Sequence, residues 1–175
     1  MADATNHAPA ASGGATDAGD AHPARVVRRT GRADGALDAA LEAAGVTVTD
    51  APDATLVHRL DDVRDLDGLT PALTAWAAEA RTTTGADGDV ITIVDADGFD
   101  STETAPAMLA HGIVAGTRAL AMERERPGTR ANLVVVGADV GTAEVADTIT
   151  WLLRATSSTA QIVTLGAARH GRQPA

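Results

Sequence analysis

Asp89-Val-Ile-Thr-Ile-Val-Asp95 is the segment of this chain that most clearly predicts a β-strand. The five residues between the two aspartates are all β-branched, a side-chain type that packs well on extended backbone. They form a continuous run with little polar alternation, as expected of a strand covered on both faces in the middle of a parallel sheet. We therefore expect a buried central strand here.

Strands and helices alternate on both sides of this segment. Downstream, Leu109, Ile113, Gly116 and Leu120 share one face at helical spacing, and upstream a helix ends at the C-cap residue Gly45. The predicted strands span 24–29, 46–49, 54–58, 89–94, 130–136 and 161–165, and the predicted helices span 35–45, 69–81, 105–125 and about 145–153.

This alternation predicts right-handed βαβ crossovers and a parallel sheet with helices on both faces. The predicted fold class is therefore α/β, a doubly wound, shortened Rossmann-like sheet in three α/β/α layers. Residues 1–24 have no apolar period and are predicted to be a disordered tail, whose His7 and His22 are not expected to bind metal. Residues 25–175 are expected to form a single domain.

Composition excludes several classes of function. The formal net charge is -10 and every basic residue is Arg, so the acidic surface disfavours binding to nucleic acid or anionic lipid. There are no cysteines, which excludes disulfides, thiolate metal sites and cysteine nucleophiles. No apolar run approaches the ~18 residues that span a bilayer, and no secretion signal is evident, so we expect a cytoplasmic protein.

Three segments of the second half follow one another in a recognisable order. They are Gly116-Thr-Arg-Ala-Leu-Ala-Met-Glu123, then Pro127-Gly-Thr-Arg-Ala-Asn132-Leu-Val-Val-Val-Gly137, then Ala143-Glu-Val-Ala-Asp147 with Trp151-Leu-Leu153 and Ala160-Gln-Ile-Val-Thr-Leu-Gly166. In this order and at these gaps they resemble the C-terminal half of the short-chain dehydrogenase/reductase (SDR) family, including its Gly-x-Arg-x-Asn signature. The resemblance covers roughly residues 89–166.

The same resemblance implies that the catalytic residues are missing. The family's catalytic tyrosine and the lysine four residues later fall on Pro106 and Ala110, and the catalytic serine falls on Asp95 or its neighbours. Without a phenol and an ammonium that lowers its pKa, carbonyl reduction by the family's route has no general acid. The chain resembles a truncated, degenerate SDR, in which the lobe after the strand ending near Gly137 is absent.

The cofactor signature of the family is also incomplete. Thr30-Gly31-Arg-Ala-Asp-Gly35 keeps two glycines, and Leu37 occupies the position of the third. Those glycines let backbone amides approach a pyrophosphate, and Asp34 would place a negative charge beside it. We therefore expect no cofactor, and NAD(P) binding is disfavoured.

Two groups of residues remain as candidates for chemistry. Asp95 and Asp97 follow the central strand, at the edge where open α/β sheets bind ligands. Paired carboxylates at such a position could share a proton or hold a divalent cation. The pattern Asp-x-Asp-Gly is also common in ordinary turns. His111 could act as a base if it faced the same crevice. No metal site is predicted, and Ser157 and Ser158 lack the context of a hydrolase nucleophile.

Three functions are compatible with these features. The first is a non-catalytic pseudoenzyme subunit that forms a homo-oligomer, or a hetero-oligomer with an active SDR-type oxidoreductase, through helices 69–81 and 105–125. The resemblance implies this interface, because these helices pack across a two-fold axis in the family, and the small residues Ala105, Ala115, Gly116 and Ala119 would permit close approach.

The second is an SDR-fold enzyme repurposed for a non-redox reaction, dehydration or cyclisation, using Asp95, Asp97 or His111. It requires a pocket at the strand ends, which the short loops disfavour. The third is a ligand-binding module whose turn from Gly31 to Gly35 accepts an anion.

Overall fold

The computed structural model describes residues 25–85, 88–123, 130–155 and 157–166, so the predicted tail with His7 and His22 lies outside the described residues. Within these residues, six strands alternate with four α-helices, and one short 3-10 helix follows the fourth strand. The elements are β1 Arg25–Gly31, α1 Gly35–Ala43, β2 Val46–Thr49, β3 Thr55–Arg59, α2 Leu66–Gly85, β4 Val90–Asp95, the 3-10 helix Ala96–Gly98, α3 Thr104–Met122, β5 Ala131–Val136, α4 Thr142–Arg154 and β6 Ile162–Leu165.

All five strand pairings are parallel, in the order β2-β1-β3-β4-β5-β6. This confirms the predicted doubly wound, Rossmann-like fold class. The chain extends the sheet in one direction through β2 and in the other from β3 onward, so the topological switch point lies between β1 and β3. Ligands of such sheets bind beyond the carboxyl ends of the strands that flank the switch point.

Each face of the sheet carries two helices. Successive residues of β4 point to opposite faces, so Val90 and Val94 pack in the core under α2 and α3, whereas Ile91 and Ile93 pack in the core under α1 and α4. The strand predicted from its continuous β-branched run is therefore buried on both sides, as expected.

Helix α2 is longer than predicted, beginning at Leu66 rather than at residue 69 and ending at Gly85 rather than at residue 81. The earlier start has a local cause, because Asp65 Oδ1 accepts a hydrogen bond from the Gly68 backbone at 2.8 Å in the manner of an N-cap. The predicted end of the following helix at residue 125 lies outside the described residues, which show α3 as far as Met122. None of the described helices is long and apolar enough to span a membrane.

The Arg and Asn of the Gly-x-Arg-x-Asn signature have structural roles. The guanidinium of Arg130 is paired with Asp89 and donates to the carbonyls of Leu152 and Ala155 at 2.9 and 2.6 Å, which joins the start of β5 to the end of α4. Asn132 donates to the Ser158 carbonyl and accepts from the Gln161 backbone, both at 3.1 Å. These two residues therefore fix the turn that leads into β6.

A layer of polar side chains lies between the sheet and α2. His58 of β3 is 5% exposed and its Nδ1 lies 2.8 Å from Thr30 Oγ1, while the Trp76 indole donates to Thr92 Oγ1 at 2.9 Å. Burial lowers the pKa of His58, and Arg29 and Arg28 add to the effect against the opposing pull of Glu79 and Asp61. The neutral form of His58 is therefore the one that the fold accommodates.

This burial makes stability dependent on pH. Because the native pKa of His58 lies below its unfolded value of 6.5, the unfolded chain binds more protons than the native state as the pH falls. We expect the free energy of unfolding to decrease from about pH 7.5 to about pH 5.5, and to decrease less in His58→Gln. Urea titrations at the two pH values measure the free energy of unfolding of the original chain and of His58→Gln. An equal decrease in both would contradict the prediction.

Helices α2 and α3 pack closely because α3 presents glycines to α2. A Cβ built on Gly116 would lie 2.7 Å from the ring of Trp76, which is buried, whereas a Cβ on Gly112 would lie 3.7 Å from Leu73 at ordinary van der Waals distance. Gly116 is therefore required by the position of the indole, and Gly112 is not.

The two glycines form a matched pair for a stability measurement. We expect Gly116→Ala to lower the free energy of unfolding by about 1–3 kcal/mol through overpacking against Trp76. Gly112→Ala should leave it unchanged or raise it by up to about 1 kcal/mol through higher helix propensity. Chemical denaturation measures the free energy of unfolding of both variants. Equal effects would show that Trp76 does not set the distance between α2 and α3.

Candidate functional site

A cavity of about 590 Å³ opens at the carboxyl ends of the strands, in the position where open α/β sheets bind ligands. Its apolar lining comes partly from the ends of β4 and β5 and from the first turns of α3. The expectation that short loops leave no pocket here is therefore wrong. Five carboxylates and three guanidinium groups also line the cavity: Asp61, Asp62, Asp95, Asp97 and Glu103, with Arg32, Arg59 and Arg64.

Asp95 lies in this cavity, at the end of β4, and its two oxygens are both bound by arginines. Arg32, in the turn after β1, donates to Oδ2 at 2.8 Å, and Arg59, at the end of β3, donates to Oδ1 at 2.8 Å. Burial disfavours the charged form of Arg32, but the neighbouring carboxylates, Asp95 first among them, outweigh this effect and raise the pKa of Arg32 above its ordinary value. Asp95 is therefore occupied in an ion-pair network rather than available as a base.

Asp34 extends the same network to the start of α1. It is the N-cap residue, where one carboxylate oxygen accepts from the Leu37 backbone at 3.0 Å and the other accepts from Arg59 at 2.5 Å. The positive end of the α1 dipole thus already faces a carboxylate of the same chain. The side chains of Arg59 and Asp34 are only 12% and 17% exposed, so this pair is largely shielded from solvent.

The two positions that the resemblance assigns to the catalytic Tyr and Lys also face the cavity. Pro106 and Ala110 both line it, one turn apart on α3, and contribute no titratable group. Gly98 fits tightly beside them, because a Cβ there would lie 3.1 Å from both the Ala110 Cβ and the Pro106 carbonyl. This part of the wall is apolar and closely packed.

The remaining candidates are separated by the structure. Asp97 lines the cavity from the 3-10 helix and is exposed, with no ion pair among the described residues. His111 does not line it; this side chain is exposed on α3, with its ring edge-on to Phe99 at 5.5 Å. The condition for His111 to act as a base, that it face the crevice, is not met. No group of three or more His, Asp or Glu within the described ranges could hold a metal ion.

The two glycines of the turn from Gly31 to Gly35 have different structural roles. Gly31 has φ +79°, and a Cβ there would lie 1.9 Å from the Arg59 carbonyl, which instead accepts from the Arg32 backbone at 2.8 Å. A Cβ on Gly35 would meet nothing within 4 Å. Gly31 is therefore required where β1 and β3 meet, whereas the space around Gly35 would accept a side chain.

The residues that dominate the site, Arg32 and Arg59, were not predicted. Arg59 directly follows the predicted strand 54–58 and Arg32 lies three residues beyond the predicted strand 24–29, and the carboxyl ends of parallel strands meet at one edge of the sheet. This placement could have indicated that both arginines lie at the ligand-binding edge. The sequence does not indicate their partners, because Asp34 and Asp95 lie 25 and 36 residues from Arg59.

Two substitutions of Asp34 separate its roles. Asp34→Ala removes the N-cap, worth about 1 kcal/mol, and leaves Arg59 without one partner, so we expect a total loss of about 2–5 kcal/mol in the free energy of unfolding. Asp34→Ser keeps a capping oxygen and should be less destabilising by about 1 kcal/mol. Urea unfolding measures both, and a loss of under about 0.5 kcal/mol for Asp34→Ala would show that the network is not stabilised by this contact.

No family model matches the sequence, and no curated protein matches it either. Solved structures share its fold. An apo SCOR enzyme from Clostridium thermocellum superposes with a TM-score of 0.53 at 12% identity, over 82% of this chain and 91% of that one. A short chain dehydrogenase/reductase family protein superposes with a TM-score of 0.51 at 16% identity, over 80% of this chain and 83% of that one. The chain therefore has an SDR-like Rossmann fold.

Proposed function

We propose that this chain is a non-catalytic, SDR-like subunit that acts by association with another protein chain. The observation that carries the proposal is the chemistry of the cavity wall. Pro106 and Ala110 stand where the family resemblance places the proton donor and the lysine beside it, and Asp95 is held between two arginines. A cavity that holds no phenol, ammonium or free base at these positions cannot reduce a carbonyl by the family's route.

The residues present do not fit a nicotinamide dinucleotide. The N-terminus of α1, which would receive a pyrophosphate, is capped by the carboxylate of Asp34. Arg59 and Arg32 are engaged by Asp34, Asp62 and Asp95, and the carboxylates around the cavity outnumber the guanidinium groups. These carboxylates would repel a pyrophosphate, and among the described lining residues Arg64, which is exposed, is the one cation without an ion pair.

A short connection supports the reading of a reduced SDR. Strand β5 ends at Val136 and α4 begins at Thr142, so only five residues join them. This leaves no room for the substrate-covering lobe that the resemblance places after that strand. Gly137, Ala138 and Val140 of this connection line the cavity without forming a lobe over it.

The outer faces of α2 and α3 are the surface that we assign to association. Ala115 and Ala119 are exposed on α3, as a close helix contact requires, together with Met108 and Met122. The other two small residues proposed from the sequence serve the chain's own packing: Ala105 is buried, and Gly116 lies against Trp76. The association surface is therefore narrower than the sequence indicated.

The proposal is tested by mass and activity together. Light scattering after size-exclusion chromatography is performed on the chain alone and mixed with the SDR encoded nearest to it that has an intact Tyr-x-x-x-Lys pair. We expect an oligomer, no nicotinamide oxidation by the chain alone, and unchanged or increased activity of the mixture relative to the reductase. Turnover by the purified chain, or a chain that remains monomeric in both samples, would reject the proposal.

The size of the cavity favours one alternative, a repurposed enzyme that performs a non-redox reaction such as dehydration or cyclisation. Of the three candidate residues, Asp97 is the one that lines the cavity without an ion pair among the described residues. This alternative predicts turnover or tight ligand binding that is lost in Asp97→Asn and kept in Asp147→Asn, an exposed carboxylate on α4.

A further inference from the structure

The cavity at the carboxyl ends of the strands combines an apolar floor with charged side chains around it. The floor is formed by buried residues from the ends of β4 and β5 and from α3, namely Val94, Val136, Leu109 and Ala110. The volume of about 590 Å³ lies within the ~300–1,000 Å³ that is usual for small-molecule sites. A ligand that fits this cavity therefore has an apolar part that packs on the floor and polar groups that meet the surrounding charges.

Two of the three positive groups in the cavity wall are neutralised within the chain. Arg59 is paired with Asp34 and Asp95, and Arg32 is paired with Asp62 and Asp95. An external anion would have to compete with these carboxylates for either guanidinium. The electrostatics of the cavity are therefore decided by the lining groups that have no ion pair.

Three lining carboxylates have no ion pair among the described residues. Asp61 lies in the loop after β3, Asp97 in the 3-10 helix after β4, and Glu103 at the N-cap position of α3. The side chain of Glu103 makes no capping hydrogen bond, so the helix does not use this carboxylate. The one unpaired cation of the described lining is the exposed Arg64. The unpaired charge around the cavity is therefore negative, and it favours a cation.

The distribution of these carboxylates favours an extended cation over a metal ion. They come from separate segments of the chain, and the described His, Asp and Glu residues form no group of three that could hold a metal ion. Two positive charges joined by an apolar chain match both the separated carboxylates and the floor between the strand ends and α3.

We propose that this cavity binds an aliphatic diamine, a ligand with two ammonium groups joined by methylene groups. The methylene groups pack on the floor, at Leu109 and Val136, and the ammonium groups donate to the unpaired carboxylates. Such a ligand is opposite in charge to a dinucleotide. Its binding goes beyond the proposed function, because it does not require association with another protein chain.

Calorimetric titration of the full chain with 1,8-diaminooctane at low salt tests the site. Spermidine has the same chain length but replaces one methylene group with a third ammonium group, which the apolar floor would have to desolvate. We therefore expect 1,8-diaminooctane to bind at least about threefold more tightly than spermidine, and uncharged 1,8-octanediol not to bind. General attraction to an acidic chain predicts the reverse order of the two amines, and that order would overturn the proposal.

The carboxylates are tested with a pair of double variants. Asp97→Asn with Glu103→Gln removes two unpaired carboxylates of the cavity, and we expect the dissociation constant for 1,8-diaminooctane to rise by about fivefold or more. Glu144→Gln with Asp147→Asn is the matched control, because it removes two exposed carboxylates of α4 that do not line the cavity. Equal weakening by the two double variants would overturn the proposal.

A change of charge at one exposed lining position gives a test in both directions. Ala138, in the connection from β5 to α4, lines the cavity and is exposed, so substitution there should leave the unfolding curve unchanged. We expect Ala138→Asp to lower the dissociation constant for 1,8-diaminooctane by about twofold to fivefold and Ala138→Arg to raise it by a similar factor. A shift in the same direction for both variants would contradict the proposed site.

Mass spectrometry of the diamine after incubation separates binding from turnover. We expect the compound to be recovered unchanged. Its conversion to a product would overturn both binding without turnover and the non-catalytic function proposed above. A chain that binds no diamine would overturn this proposal alone, because association with a reductase is measured separately by light scattering.

Discussion

The guanidinium of Arg59 joins three segments that the chain places far apart. Arg59 lies at the end of β3. Its guanidinium binds Asp34 at the start of α1 and Asp95 at the end of β4. Because β3 and the start of α1 flank the switch point of the sheet, this side chain lies at the edge where folds of this kind bind ligands. Breaking a largely buried pair of this kind is costly, since it leaves a charge without its partner in a poorly solvated site.

The same network is the reason why we propose that this edge of the sheet does not bind a dinucleotide. The N-terminus of a helix attracts an anion, and at the N-terminus of α1 this anion is the carboxylate of Asp34. Arg32 and Arg59 beside the open cavity also attract an anion, and the carboxylate of Asp95 occupies that position. The chain therefore satisfies with its own carboxylates the electrostatic demand that a pyrophosphate meets in dinucleotide-binding folds.

Beyond this edge, the core is built mainly from Val, Leu, Ala and Ile side chains. Trp76 is the largest buried residue, and its indole both sets the spacing of α2 and α3 through Gly116 and donates to Thr92 across the polar layer under α2. That layer includes the buried imidazole of His58, whose pKa is lowered by burial. Helix α3 contains no Asp or Glu, whereas α1, α2 and α4 each carry two.

The sequence by itself determined the fold class and the order of the elements. Buried strands read as continuous β-branched runs and helices as apolar stripes, and both patterns are local, so all six strands and four helices were predicted within a few residues. The sequence also indicated that Pro106, Ala110 and Asp95 belong to one site, through the family resemblance. Tertiary structure decided the rest: the pairing of Arg59 with Asp34 and Asp95, the cavity, the exposure of His111 away from it and the contact of Gly116 with Trp76. These features depend on contacts between residues distant in the chain, and no periodicity or spacing in the sequence encodes such contacts.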